Sequence, residues 1–185
     1  ANGSGRCPWA TASPSSREAL VRIMAQDIYR SRVNALAIIT SAAFGGANLF
    51  IGASMGIYWL SLPPAEFASQ FFPQFSTFLY TIMPLFLLMP VGLILSARLD
   101  LGAPDARRNW VIALWLYLAV SLITVLFHMP LNVRLAEAVG SPVAETLSFY
   151  TGIALVGPLT DENAGTIRTL WLLGHIPRVF ITLAL

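Results

Sequence analysis

The chain has 185 residues, of which 56% are hydrophobic and only 11% charged, with a mean hydropathy of +0.69. A soluble domain carries about 25% charged residues, so the composition excludes an ordinary soluble protein and points to a membrane. The net charge is +2 and the pI near 9, but the eleven basic residues, all arginine, are scattered beside apolar runs. That is the pattern of membrane-interface charges, and it argues against a nucleic-acid partner.

Residues 1–16 are rich in Gly, Ser and Pro and lack the apolar core of a signal peptide, so they read as a flexible tail. The start at Ala1 fits a terminus left by transit-peptide removal, and it fits truncation equally. Cys7 is the single cysteine, so an internal disulfide and a cysteine-based metal site are both excluded. Ser15-Ser16-Arg17-Glu18 has the form of a capping box. Residues 17–32 then set Leu20, Met24 and Ile28 among Arg17, Arg22, Arg30 and Arg32. They read as a short amphipathic helix for the membrane surface, or as the solvated lead-in to the first span.

A span needs about 20 apolar residues, and residues 33–185 supply four candidates in one all-α domain. The first, at about 34–60, is rich in small residues, with Gly52 and Gly56 four apart to admit a neighbouring backbone. Asn48 lies near its middle, and Tyr58 and Trp59 near its end read as interfacial belt residues. Pro63-Pro64 makes a turn into a second span at about 73–97, where Pro84 and Pro90 are expected to kink the helix. The third, at about 109–133, is broken only by His128 and Asn132. Residues 134–165 are expected to hold a short helix from Ser141-Pro142 and to cap the end of the bundle. Thr160-Asp161-Glu162 reads as the N-terminal cap of the fourth span, about 166–185. The expected fold is an integral membrane four-helix bundle. Arginine placement puts both termini on the cytoplasmic, stromal or matrix side. A bacterial inner membrane, a thylakoid and a mitochondrial inner membrane all fit.

The fourth span carries the function-bearing pattern. Arg168, Trp171, His175 and Arg178 fall at i, i+3, i+7 and i+10, which makes one stripe on a helix. Ionisable groups at that depth must face protein, water or a ligand. Up-and-down topology brings His128 and Asn132 to the same outer half, with Asn48, Arg168 and Trp171 as further ligand-binding candidates. Two histidines fall short of a zinc or copper set, and no Glu-x-x-His pair offers a di-iron site, so no metal site is expected. Either His128 or His175 can ligate a haem or chlorophyll from one side, and both can simply hydrogen-bond across helices. No P-loop, nucleophile elbow or zincin motif is present, which leaves histidine as base and arginine as anion stabiliser for any catalysis.

Two stretches have a familiar form: Pro130-Leu131-Asn132-Val133-Arg134-Leu135, and Trp171-Leu172-Leu173-Gly174-His175-Ile176-Pro177-Arg178. With the Gly-rich first span ending in Tyr58-Trp59, they resemble the anthrone oxygenase-like family of small integral membrane proteins over residues 34–185. The resemblance implies a four-helix membrane bundle; the named members of that family oxidise polycyclic anthrones with oxygen and no evident cofactor, most members have no assigned activity, and the resemblance does not carry that activity to this chain. It implies a shared pocket lined by Asn132, Trp171, His175 and Arg178; in the catalytic version of this reading His175 removes a proton and Arg178 stabilises the resulting anion. The lead at 17–32 and the arginine-only basic set are not part of that family's pattern. The expected ligand is a flat aromatic, quinone-like or pigment-like molecule. The competing class is a non-catalytic accessory subunit of a photosynthetic or respiratory membrane complex. A transporter has little support because no inverted repeat is visible.

Overall fold

Backbone groups in an apolar setting must satisfy one another, so long uncharged runs fold as helices. The computed structural model describes residues 14–185; it is 87% helix, and no strand occurs among the described residues. Helix α1 (Pro14–Phe50) passes through a π-helical turn at Ile51–Met55 into α2 (Gly56–Ser61). Helix α3 follows at Pro64–Leu99, and α4 (Pro104–Ile123) passes through a second π turn at Thr124–His128 into α5 (Met129–Ala138). The short α6 (Pro142–Thr146) and a 3-10 turn at Ser148–Ile153 lead to α7 (Ala164–Leu183). Three continuous helices, Ser16–Ser61, Pro64–Leu99 and Pro104–Ala138, are long and apolar enough to cross a membrane. Helix α7 packs against α1, α3 and α4.

The elements depart from the expected ones in ways that have physical causes. No break separates the amphipathic lead from the first span: α1 is continuous through residue 32, and Ser15 already lies inside it. The continuous helix has 46 residues, about 69 Å at 1.5 Å per residue, more than twice a hydrocarbon core. Its lead therefore stands clear of the other helices, and every residue from Ser16 to Tyr29 is exposed. The expected tail falls mostly on residues outside those described. Helix α3 starts at Pro64, where a missing N–H costs nothing, and runs on through Pro73, Pro84 and Pro90. Ser141 caps α6 as expected, its Oγ accepting from Val143 N–H. The acidic first turn expected for the last helix is absent. Thr160 and Asn163 instead exchange side-chain to main-chain bonds (2.8 and 3.3 Å), and α7 begins after them, at Ala164.

Close approach is bought by glycine. A Cβ on Gly92 of α3 would lie 3.0 Å from the Ala37 Cα of α1. One on Gly174 of α7 would enter the Phe127 ring, so that crossing accepts no side chain. Two apolar cores result. The first gathers Trp59, Phe67, Phe71, Phe75, Leu131, Leu135 and Trp171. The second gathers Ala37, Phe44, Met89, Leu93 and Val120. Trp59 is fully buried in the first core, with its Nε1–H donating to Gln74 (2.9 Å), so it is a core residue and not an interfacial one. Tyr58 is 40% exposed, and its hydroxyl donates to Gln70 Oε1 at 2.7 Å.

Where α3 turns into α4, Asp100 is enclosed. Its carboxylate accepts from Arg30, from Asn34 Nδ2 (3.2 Å) and from Trp110 Nε1 (2.6 Å), tying α1 and α4 to the end of α3. Burial alone raises its pKa and is the largest single effect. The bonds from Trp110 and Arg30, the Arg30 charge and the Asn34 bond together outweigh it and leave the pKa below the ordinary 3.8.

A depressed carboxyl contributes stability that is present above its unfolded value of about 4 and lost as pH falls through the lower folded one. Detergent-solubilised protein should therefore lose the Asp100 share of its stability as pH falls below about 4. Asp100→Asn should melt lower throughout and show less of that acid decline. Gly174→Ala should cost about 1–3 kcal/mol through overpacking against Phe127. Gly46→Ala, where nothing lies within 4 Å, should be neutral in the same melts.

Candidate functional site

Helix α7 presents Ile167, Trp171, His175, Arg178 and Thr182 to the interior, the spacing of one helix face. The first aromatic core ends at Trp171, and the polar layer begins there. The indole lies flat on His175 (centroids 5.1 Å, planes 9° apart) and edge-on to His128 (5.2 Å, 88°). Its Nε1–H donates to Asn132 Oδ1 at 2.7 Å, a buried bond that joins α7 to α5. The two imidazoles stand 6.0 Å apart.

Both histidines sit where a helix widens. A π turn replaces four-residue bonding with five-residue bonding, so the ladder is interrupted at its entry. The Asn48 carbonyl, just before the first π turn, meets His175 Nε2 at 3.0 Å. A carbonyl only accepts, so Nε2 carries the proton and the lone pair is on Nδ1. The Ile123 carbonyl, at the entry to the second π turn, faces His128 Nδ1 at 3.5 Å, a weak contact. His175 Nδ1, His128 Nε2, Asn48 Oδ1 and Arg178 Nε are all enclosed and have no hydrogen-bond partner among the described residues. An axial ligand to haem or chlorophyll needs an open nitrogen. One His175 nitrogen is taken by Asn48 and the other is enclosed, as is His128 Nε2.

On its other flank His175 reaches a groove of about 310 Å³ between α1–α2 and α7. Gly52, Ala53 and Gly56 form one wall, and Leu172, Ile176 and Val179 the other, with His175 between them. A Cβ on Gly52 would lie 3.2 Å from His175 Cδ2, so the ring edge is the groove's floor at that level.

No protein-family model, curated protein or solved structure matches this chain.

Of the residues singled out in sequence, the fold brings His128, Asn132, Trp171 and His175 together, with Asn48 on the far side of His175 and Arg178 one turn along α7. Arg168 is elsewhere: its guanidinium donates to the main-chain carbonyls of Leu62 and Trp59, closing the end of α2. That is helix capping, and Lys, Arg and His commonly serve it. Among the described residues no three His, Cys, Asp or Glu side chains gather as a metal site. Two participants had no signal as site residues in the sequence: Ala53, which lines the groove, and Trp59, edge-on to Trp171 at 5.4 Å.

Replacing Trp171 with Phe strands the buried Asn132 oxygen and should cost about 1–3 kcal/mol in detergent melts. Adding Asn132→Leu to Trp171→Phe should recover part of that loss, because both partners are then apolar. Additive losses in the double variant would show that the bond carries no coupling.

Proposed function

We propose that this chain is a multi-pass membrane protein with α7 as a fourth span, which takes a flat aromatic or quinone-like molecule from the bilayer into the groove beside His175. Both termini lie on the arginine-rich side. The observation that carries this reading is the groove itself, walled by Gly52, Ala53 and Gly56 and apolar except for an imidazole edge. Gly52 and Gly56 keep the middle of that wall free of side chains between Leu49, Ile57 and Leu60, and an apolar molecule buries its area against these groups. An apolar pocket with one well-placed polar group is the usual form of a small-molecule site.

An oxidative form of the reading has its own support. The two stretches that resemble anthrone oxygenase-like proteins, around Asn132 and around Trp171–Arg178, are joined by the Trp171–Asn132 bond. In that form His175 Nδ1 takes a proton from an acidic ring CH₂ and Arg178 holds the enolate oxygen. Dioxygen then converts the CH₂ to a carbonyl, and its second oxygen leaves with the two hydrogens as water. Nδ1 is on the ring edge opposite Gly52, so a substrate must enter past that glycine to reach it.

Ala53 is exposed and lines the groove, so Ala53→Phe fills it without touching the core. That variant should bind a fluorescent anthraquinone at least tenfold more weakly while melting like the parent. His175→Ala should abolish oxygen uptake on an anthrone or hydroquinone, and unchanged turnover would remove His175 from catalysis.

A second reading, the accessory subunit of a larger membrane complex, is favoured by the lead of α1. Leu20, Val21, Ile23, Met24 and Tyr29 are all exposed there. Gentle solubilisation followed by native mass analysis separates the two: a partner-free 20.1 kDa species would sink the subunit reading.

A further inference from the structure

Among the described residues Arg178 is the one buried arginine, at 7% exposure. The guanidinium is always charged and carries five donors, and its enclosed Nε meets no acceptor among the described residues. The protein holds no carboxylate for it. Of the nine acidic side chains, eight are exposed, and the ninth, Asp100, is engaged by Arg30, Asn34 and Trp110. Asp100 is also remote. Its partner Asn34 and the His175 partner Asn48 are fourteen residues apart on α1, about 21 Å. The groups that face the polar layer from the neighbouring elements are His128, His175 and Asn48, none of them an anion. A cation in such a place needs a counter-charge, and intramembrane cations mark ligand or ion sites for that reason.

The route to it is short. Val179, the next residue, and His175, one turn back, both line the groove, so Arg178 is on the adjoining face of the same stretch of α7. We infer that Arg178 receives an ionised oxygen, a carboxylate or a phenolate, on an apolar molecule that enters through the groove. This deepens the proposed function by naming the charge of its ligand, and it rests on that reading for the route. Arg is suited to the task because its fork donates two parallel bonds to one acid group. Flat aromatic acids and straight-chain fatty acids share this chemistry.

Thermal melts of the full chain in a neutral detergent, titrated with four probes, test the assignment: naphthoate, naphthamide, decanoate and decanamide. Each acid differs from its amide in charge and little else. At least one acid should bind tenfold or more tightly than its amide, and Arg178→Gln should erase that preference. Which acid wins distinguishes an aromatic ligand from a fatty acid. Equal affinity within both pairs overturns the inference, as does an acid preference that survives Arg178→Gln. Should the Gln variant fail to fold, Arg178→Lys takes its place; there the acid preference should fall at least threefold, and an undiminished one overturns the assignment. Ala53→Phe separates the two claims. Amide binding that Ala53→Phe weakens, without acid preference, leaves the groove standing and removes the anion. An Arg178-dependent acid preference that Ala53→Phe leaves intact does the reverse.

Discussion

The constraint on which the rest depends is the burial of the polar face of α7. Trp171, His175, Arg178 and Thr182 are enclosed along one side of a helix in an otherwise apolar assembly. Each such group costs free energy unless something bonds to it, and the surrounding helices are shaped to supply those bonds. Asn132 takes the Trp171 N–H, and the Asn48 carbonyl takes His175. Thr182 solves its own problem by donating back to the Arg178 carbonyl at 2.8 Å. Among the described residues nothing bonds to the Arg178 Nε, which is why it stands apart chemically from its neighbours.

The two π turns belong to the same solution. A regular helix keeps every interior carbonyl for itself, so it has none to give to a neighbour's imidazole. Widening one turn releases an acceptor where a side chain from another helix can use it. In α1–α2 the acceptor goes to His175 of α7, whereas in α4–α5 the Ile123 carbonyl faces His128 of the same helix, whose ring stands edge-on to Trp171. Glycine supplies the remaining condition. Gly174 lets Phe127 and the His128 turn press against α7, and Gly52 lets the His175 ring come close to the first helix. Bulk at either point would separate the very groups that satisfy each other.

Much of this was legible in the sequence, because composition and charge-free length translate directly into membrane-length helices. The stripe was legible too, since i, i+3 and i+7 positions share a face whatever the fold. The π turns were not: TVLFH and IGASM carry no marker that separates them from ordinary helix. Trp59 near a helix end looks like a belt residue until the partner Phe67, Phe71 and Trp171 are known, and those contacts come from other helices. Arg168 is engaged apart from the other stripe residues for the same reason. It sits on the stripe by periodicity, but at the helix's beginning, where the open carbonyls ending α2 compete for it. Asp100 looked like a loop carboxylate because its partners lie 70 and 10 residues away in the chain.

His175 is the one residue that belongs to both environments of α7. The face at Trp171 and Arg178 looks inward; the face at Leu172, Ile176 and Val179 looks into the groove. A ring at the boundary has one edge in each, and the Asn48 bond fixes which nitrogen is which. The protonated edge is toward the groove side and the lone pair is toward the interior. A molecule resting in the groove therefore meets the Cδ2 edge of the ring, whose N–H is already given to Asn48, while Nδ1 lies on the opposite edge. In the proposed reading, binding and chemistry are thus separated in depth. The same fold serves as a plain receptor if a ligand stops at the ring, and as a reaction centre only if it passes Gly52.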